Sequence, residues 1–210
     1  MKDTLILFDI DETLFDPKAH IELVLHHLAG KWHREEKTFL QEAWEVFRSM
    51  RKTMMFTPEN FAKSLAKHYQ KNEREIENTF WEKKFFSLAL YKDVLPVMKQ
   101  MSKRATIGIL STGDSELQKA KVASLTQHLS QHDLHIFSAK ENELQNVFTK
   151  YQGKHIYFVD NMKEMLRLAK AVKPELITVW IKRKEQKNRE EKFQPDFTII
   201  SLTELISLTS

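Results

Sequence analysis

A chain of 210 residues with 41% hydrophobic and 30% charged residues can bury one sizeable core, or a core plus an inserted segment, and cover it with charge. The absence of cysteine excludes disulfides and thiolate metal sites. No apolar run is long enough for a membrane span or a signal-peptide core, so a cytoplasmic protein without membrane contact is expected. The net charge of +4 comes from lysines interleaved with glutamates, a pattern that fits solvated helix faces better than a nucleic-acid surface.

Leu5 to Phe8 predict a short strand buried on both faces, and Asp9, Asp11, Glu12 and Thr13 follow it directly. A buried strand that ends in carboxylates needs a cation or dense hydrogen bonding there, because an unpaired carboxylate near a core is costly to desolvate. An Asx turn or helix cap is the structural alternative. From residue 16 to 88 the period is helical. Ile21, Val24, Leu25 and Leu28 mark one stripe, expected to end at Gly30. Leu40, Ala43, Trp44 and Phe47 mark a second, and Thr57-Pro58 starts a third helix through Phe61, Ala62, Leu65 and Tyr69. Ile76, Phe80 and Trp81 mark a fourth. Aromatic and methionine residues of this stretch, among them Trp32, Phe39, Met50, Met54, Met55 and Phe56, sit at helical spacing and are expected in its core. Its histidines, such as His20 and His68, lack metal-binding spacing.

From Tyr91 strands alternate with helices. Asp93 is expected to cap a helix through Val94, Val97, Met98 and Met101, which feeds the strand Thr106 to Leu110 and the turn Ser111-Thr112-Gly113. A helix with Leu117, Val122 and Leu125, a short strand His135 to Phe137, and a helix with Leu144, Val147, Phe148 and Tyr151 come next. The strand His155 to Val159 ends in Asp160-Asn161, ahead of a helix expected to bury Met162, Met165, Leu166 and Leu168. Strands at Leu176 to Ile181 and Phe197 to Ile200 and a closing helix Leu202 to Leu208 complete an α/β fold: a Rossmann-like parallel sheet with helices on both faces and an inserted α-helical segment. The run Lys182 to Lys192 mixes acids with bases and reads as a solvated loop.

Apolar strands that each stop in a polar residue present those residues to one crevice at the carboxyl edge of a parallel sheet. Asp9-x-Asp11-x-Thr13, Ser111 in its Thr112-Gly113 turn, Lys140, and Asp160 with Asn161 and Glu164 together resemble the four motifs of the haloacid dehalogenase-like (HAD) superfamily, in its phosphatase branch. The resemblance implies a core of residues 1–15 and 89–210 and a C1-type helical cap of residues 16–88 that closes over the site. It implies hydrolysis of small-molecule phosphate monoesters: Asp9 as nucleophile, forming an aspartyl-phosphate, and Asp11 as the acid and base. Ser111, Thr112 and Gly113 would bind phosphate, and Lys140 would neutralise its charge. Lys150 and Lys154 compete for that place, but Lys140 follows the third strand directly. Magnesium is the implied cofactor, held by Asp9, the main-chain carbonyl of Asp11, and Asp160. Glu164 stands where the family often has aspartate, and reaches the metal through water, orients Lys140, or caps its helix. Asp11 disfavours the dehalogenase branch, which needs no leaving-group acid. A phosphotransferase with the same motifs and a non-catalytic binding module are the alternatives. The sequence leaves sugar phosphates, phosphoglycolate-like acids and nucleoside monophosphates open as substrates.

Overall fold

The computed structural model describes residues 3–184 and 193–208. Most of the charge run at Lys182 to Lys192 therefore lies outside the described residues. By its contacts the chain divides into two compact units, Met1–Asp16 with Leu90–Ser210, and Pro17–Ala89.

The first unit is built on one parallel sheet. In chain order its elements are β1 (Thr4–Phe8), then, after the second unit, α6 (Val94–Met101), β2 (Thr106–Thr112), α7 (Ser115–Val122), β3 (Leu134–Phe137), α8 (Leu144–Thr149), β4 (His155–Asp160), α9 (Lys163–Val172), β5 (Ile177–Ile181), β6 (Phe197–Ile199) and α10 (Leu205–Leu208). The strand order is β3-β2-β1-β4-β5-β6, and every pairing is parallel. β1 lies inside the sheet, so Leu5, Ile6, Leu7 and Phe8 are all fully buried. Leu5 and Leu7 join Leu110, Phe158, Phe148 and Leu166 in one apolar cluster. Ile6 and Phe8, pointing the other way, need a second cover of apolar residues. That alternation explains an unbroken apolar run in so short a strand.

The second unit contains α1 (Pro17–Lys31), α2 (Glu36–Thr53), α3 (Pro58–Tyr69), α4 (Glu73–Phe80) and α5 (Lys83–Leu88). Thr57 caps α3 as expected, its hydroxyl accepting from Asn60 N at 3.1 Å with Pro58 at the first position. Phe39, Phe61 and Phe80 are fully buried, and Phe56 packs against Phe61 and Phe80.

Several expectations need correction. Gly30 lies inside α1; the turn after the helix is taken by His33, with φ 52°, closed by His33 N to Gly30 O and Arg34 N to Ala29 O. This is a helix-ending motif that glycine usually serves. The buried face of α2 is Phe39, Ala43 and Met50, with Leu40, Trp44 and Phe47 only half-buried. Met54 and Met55 lie past the end of that helix and are exposed, as is Met162 ahead of α9. Asp93 makes no cap bond to α6: its carboxylate is taken by Arg183, Ser201 and Leu202.

Candidate active site

The site grows from the carboxyl edge of β1, β2 and β4. Asp9 continues β1, with its N–H donating to Val159 O at 3.0 Å. Ser111 and Thr112 are the last residues of β2, and Asp160 is the last of β4. Lys140 opens a 3-10 turn after β3, held there by its own N–H donating to Thr112 Oγ1 at 3.2 Å.

Parallel strands thus bring four residues from distant parts of the chain together. Lys140 Nζ donates to Asp9 Oδ1 at 2.6 Å, to Asp160 Oδ2 at 2.7 Å and to Leu110 O at 3.3 Å. Ser111 Oγ donates to Asp9 Oδ1 at 3.2 Å. Asp160 Oδ1 accepts from Met162 N at 2.7 Å, so the residue that leads into α9 also orients this carboxylate. Lys140 and Asp160 are 3% and 0% exposed. Lys140, rather than Lys150 or Lys154, is the lysine between the two acids.

Two buried carboxylates face one ammonium, and the electrostatics follow from that imbalance. Burial pushes the Asp9 carboxyl up; Lys140 pulls it down, while the charges of Asp160 and Asp11 push it up again, to about 7. Burial acts to lower the Lys140 ammonium, but Asp160 and Asp9 outweigh it and hold its pKa above the ordinary lysine value. A second cation would relieve the excess negative charge, and the available donors are hard oxygens. Among the described residues no three His, Cys, Asp or Glu side chains cluster as a metal site. The side chains of Asp9 and Asp160 would hold such a cation, with the Asp11 carbonyl, water and substrate oxygens completing the shell. Magnesium suits such a site, because it keeps several waters and needs few carboxylates.

The loop from Ile10 to Phe15 is a tight turn in which Thr13, Leu14 and Phe15 N–H groups all point at Ile10 O, with Glu12 at φ 58°. It sends Ile10 into the core and Asp11 out toward α7. There Lys121 Nζ donates to both Asp11 oxygens, at 2.7 and 2.8 Å, and Gln118 Nε2 donates to Oδ2 at 3.0 Å. Neither residue was anticipated from the sequence. The available signal was two polar residues within the face that carries Leu117 and Val122 on α7. Gly113 adopts φ 142° and donates its N–H to Phe137 O at 2.8 Å.

One candidate, Glu164, stands apart from this cluster. Glu164 is exposed, and its carboxylate is bound by Arg167 at 2.6 and 2.7 Å, which holds it below the usual carboxylate range. Its described contacts do not include Lys140. Asn161 directly follows Asp160, and its main-chain carbonyl accepts from Trp180 Nε1 at 2.9 Å.

Arg183, the other residue that sequence reasoning missed, lies in the charge run yet has a side chain only 6% exposed. It donates twice to Thr13 O, at 2.9 and 3.0 Å, and twice to Asp93, at 2.7 and 2.9 Å. The guanidinium therefore ties the loop after β1 to the start of α6. Lys184 adds an ion pair to Glu12 at 2.8 Å.

No protein-family model matches the sequence, and no curated protein matches it. Solved structures do. A haloacid dehalogenase-like hydrolase of Burkholderia xenovorans LB400 superimposes with a TM-score of 0.70 at 23% identity, over 99% of this chain and 97% of that one. The HAD-hydrolase YfnB of Bacillus subtilis, a structure bound to magnesium, gives 0.64 at 15% identity over 100% of both chains. The L-2-haloacid dehalogenase of Xanthobacter autotrophicus, with chloropropionic acid covalently bound, gives 0.57 at 17% identity over 99% and 98%. The fold is that of the HAD-like hydrolases.

Proposed function

We propose that this chain, with its HAD-like fold, is a magnesium-dependent phosphatase acting on small phosphate monoesters. The observation that carries this reading is the buried Lys140 between Asp9 and Asp160, with a further carboxylate, Asp11, two residues beyond Asp9. Ser111 and Lys140 both meet Oδ1 of Asp9, which leaves Oδ2 to face phosphorus.

Asp9 Oδ2 forms a bond to phosphorus as the bond to the leaving oxygen breaks, and Asp11 gives that oxygen its proton. Water then attacks the same phosphorus, Asp11 takes up a proton from it, and the bond to Asp9 breaks. Phosphate leaves, Asp9 is again a carboxylate, and Asp11 again holds the proton it gave up in the first step. Lys140 stabilises the phosphoryl oxygens throughout by its charge, and the Ser111 hydroxyl and the Thr112 N–H add donors beside it, while the Gly113 N–H, given to Phe137 O, fixes the turn. When bound, magnesium supplies positive charge that draws the phosphate dianion toward the carboxylate nucleophile. Asp11 favours this reading over haloacid hydrolysis, since a halide leaves without a proton.

The test is release of phosphate from an aryl phosphate with magnesium, with EDTA, and with Asp9→Asn, run beside release of chloride from 2-chloropropionate. Magnesium-dependent phosphate release is expected, lost in EDTA and reduced at least roughly 10³-fold in the variant. Chloride release without phosphate release, from the aryl phosphate or a panel of metabolite phosphates, overturns the proposal.

A further inference from the structure

Asp11 meets two polar side chains that the mechanism above does not use, and both come from one face of α7. Gln118 and Lys121 are three residues apart, buried to 3% and 7% exposure, and so lie side by side on the helix. An ammonium is rarely buried unless it is paired. Lys121 pairs with Asp11 through both carboxylate oxygens and lies 5.5 Å over the ring of Phe15.

The local backbone is shaped to bring these donors in. Gln118 Nε2 donates to Thr112 O at 2.8 Å as well as to Asp11, which fixes the amide between β2 and the loop after β1. A Cβ on Gly113 would stand 2.6 Å from that nitrogen. Asp114 starts α7 by accepting from Leu117 N at 2.9 Å, which sets the phase that turns residues 118 and 121 toward Asp11. A surface ion pair would need none of this.

We propose that Lys121 and Gln118 are positioning residues for Asp11: from α7 they fix the plane of its carboxylate relative to Asp9. The proposal rests on the phosphatase reading for its kinetic consequence. Its structural content, a coupled Asp11–Lys121 pair, does not depend on that reading. Lys121 keeps its protons throughout; what it supplies is direction, so that the oxygen of Asp11 lies in line with the leaving oxygen and then with water.

The experiment is a double-mutant cycle on Lys121→Met and Asp11→Asn, with Lys121→Arg as the conservative variant. In the presence of magnesium and an aryl phosphate, Lys121→Met is expected to lower kcat about 10- to 100-fold with KM within about twofold. Lys121→Arg restores part of the loss. In the Asp11→Asn background the same Lys121→Met change costs less than about threefold, because its partner is already gone. A full multiplicative loss in that background, or a rise in KM with kcat kept, overturns the proposal. Should Lys121→Met fail to fold, Gln118→Met carries the same cycle.

Urea unfolding of the same proteins separates the two ways of failing. If the unsubstituted protein releases no phosphate from any ester, the phosphatase reading fails. The pair is then judged by its unfolding midpoints alone: non-additive midpoints support it and additive midpoints overturn it.

Discussion

As the proposed nucleophile, Asp9 carries opposing demands: it has to be ionised, yet burial and the neighbouring Asp160 resist its charge. With its folded pKa raised to about 7 from 3.8, the folded protein binds a proton there that the unfolded chain releases. Stability therefore falls as pH rises between about 4 and about 7. Asp9→Asn removes the group, so metal-free variant and parent should have similar melting temperatures near pH 4, and the variant should melt several degrees higher at pH 8. Magnesium added to the parent at pH 8 should close much of that gap, since a bound cation stabilises the state that holds it. A variant that is less stable than the parent at pH 8 in EDTA would show that Lys140 needs both acids, and that Asp9 is not the strained member of the cluster. On the proposed chemistry the same substitution should also abolish phosphate release, so that stability and activity would move in opposite directions at this one residue.

Arg183, two residues past β5, ties together the elements around the site. Its guanidinium joins Thr13 O, Asp93 and, through Asp93, Ser201 and the N–H of Leu202. Arg183→Met leaves the half-buried Asp93 without its cation, which should cost about 2 kcal/mol and lower the melting temperature by roughly 4–8 °C. Although burial works against it, the bonds from Arg183, Ser201 and Leu202 hold the Asp93 carboxyl below the usual carboxylate range. Its contribution is thus present at neutral pH and is lost as pH falls below about 4; the cost of Arg183→Met should shrink there in acid unfolding curves. This network was illegible in the sequence, because Arg183 is one of many charges in its run and Asp93 has the composition of an ordinary helix cap. The strands were legible, since parallel strands buried on both faces leave continuous apolar runs. Asp9, Ser111 and Asp160 were legible as strand-end residues, because strand ends in a parallel sheet share one edge, and Lys140 was legible through the family resemblance as the lysine that follows the third strand. Gln118 and Lys121 were not, because their burial depends on the phase that Asp114 and Gly113 impose on α7. Helix ends in the second unit were misplaced where His33 took the conformation expected of Gly30.

At the scale of the whole chain, the first unit is discontinuous, yet every candidate residue described above belongs to it. The two points where the chain leaves and re-enters that unit are adjacent. Phe15 and Leu90 form an antiparallel bridge, and Tyr91 N donates to Leu14 O at 3.0 Å. Bridged residues lie about 5 Å apart at Cα, a gap that a turn of a few residues spans. The second unit has its own buried aromatic core in Phe39, Phe61 and Phe80. Replacing residues 17–89 with a short Gly/Asn-rich turn should therefore leave a protein of six parallel strands that unfolds in one cooperative transition. Its melting temperature should rise with added magnesium, because Asp9, Asp11 and Asp160 are all retained, and Asp9→Asn should abolish that rise. A truncated protein that is soluble but shows no cooperative transition would mean that the sheet needs the inserted helices to fold. A cooperative transition indifferent to magnesium would mean instead that the three acids do not by themselves hold the metal.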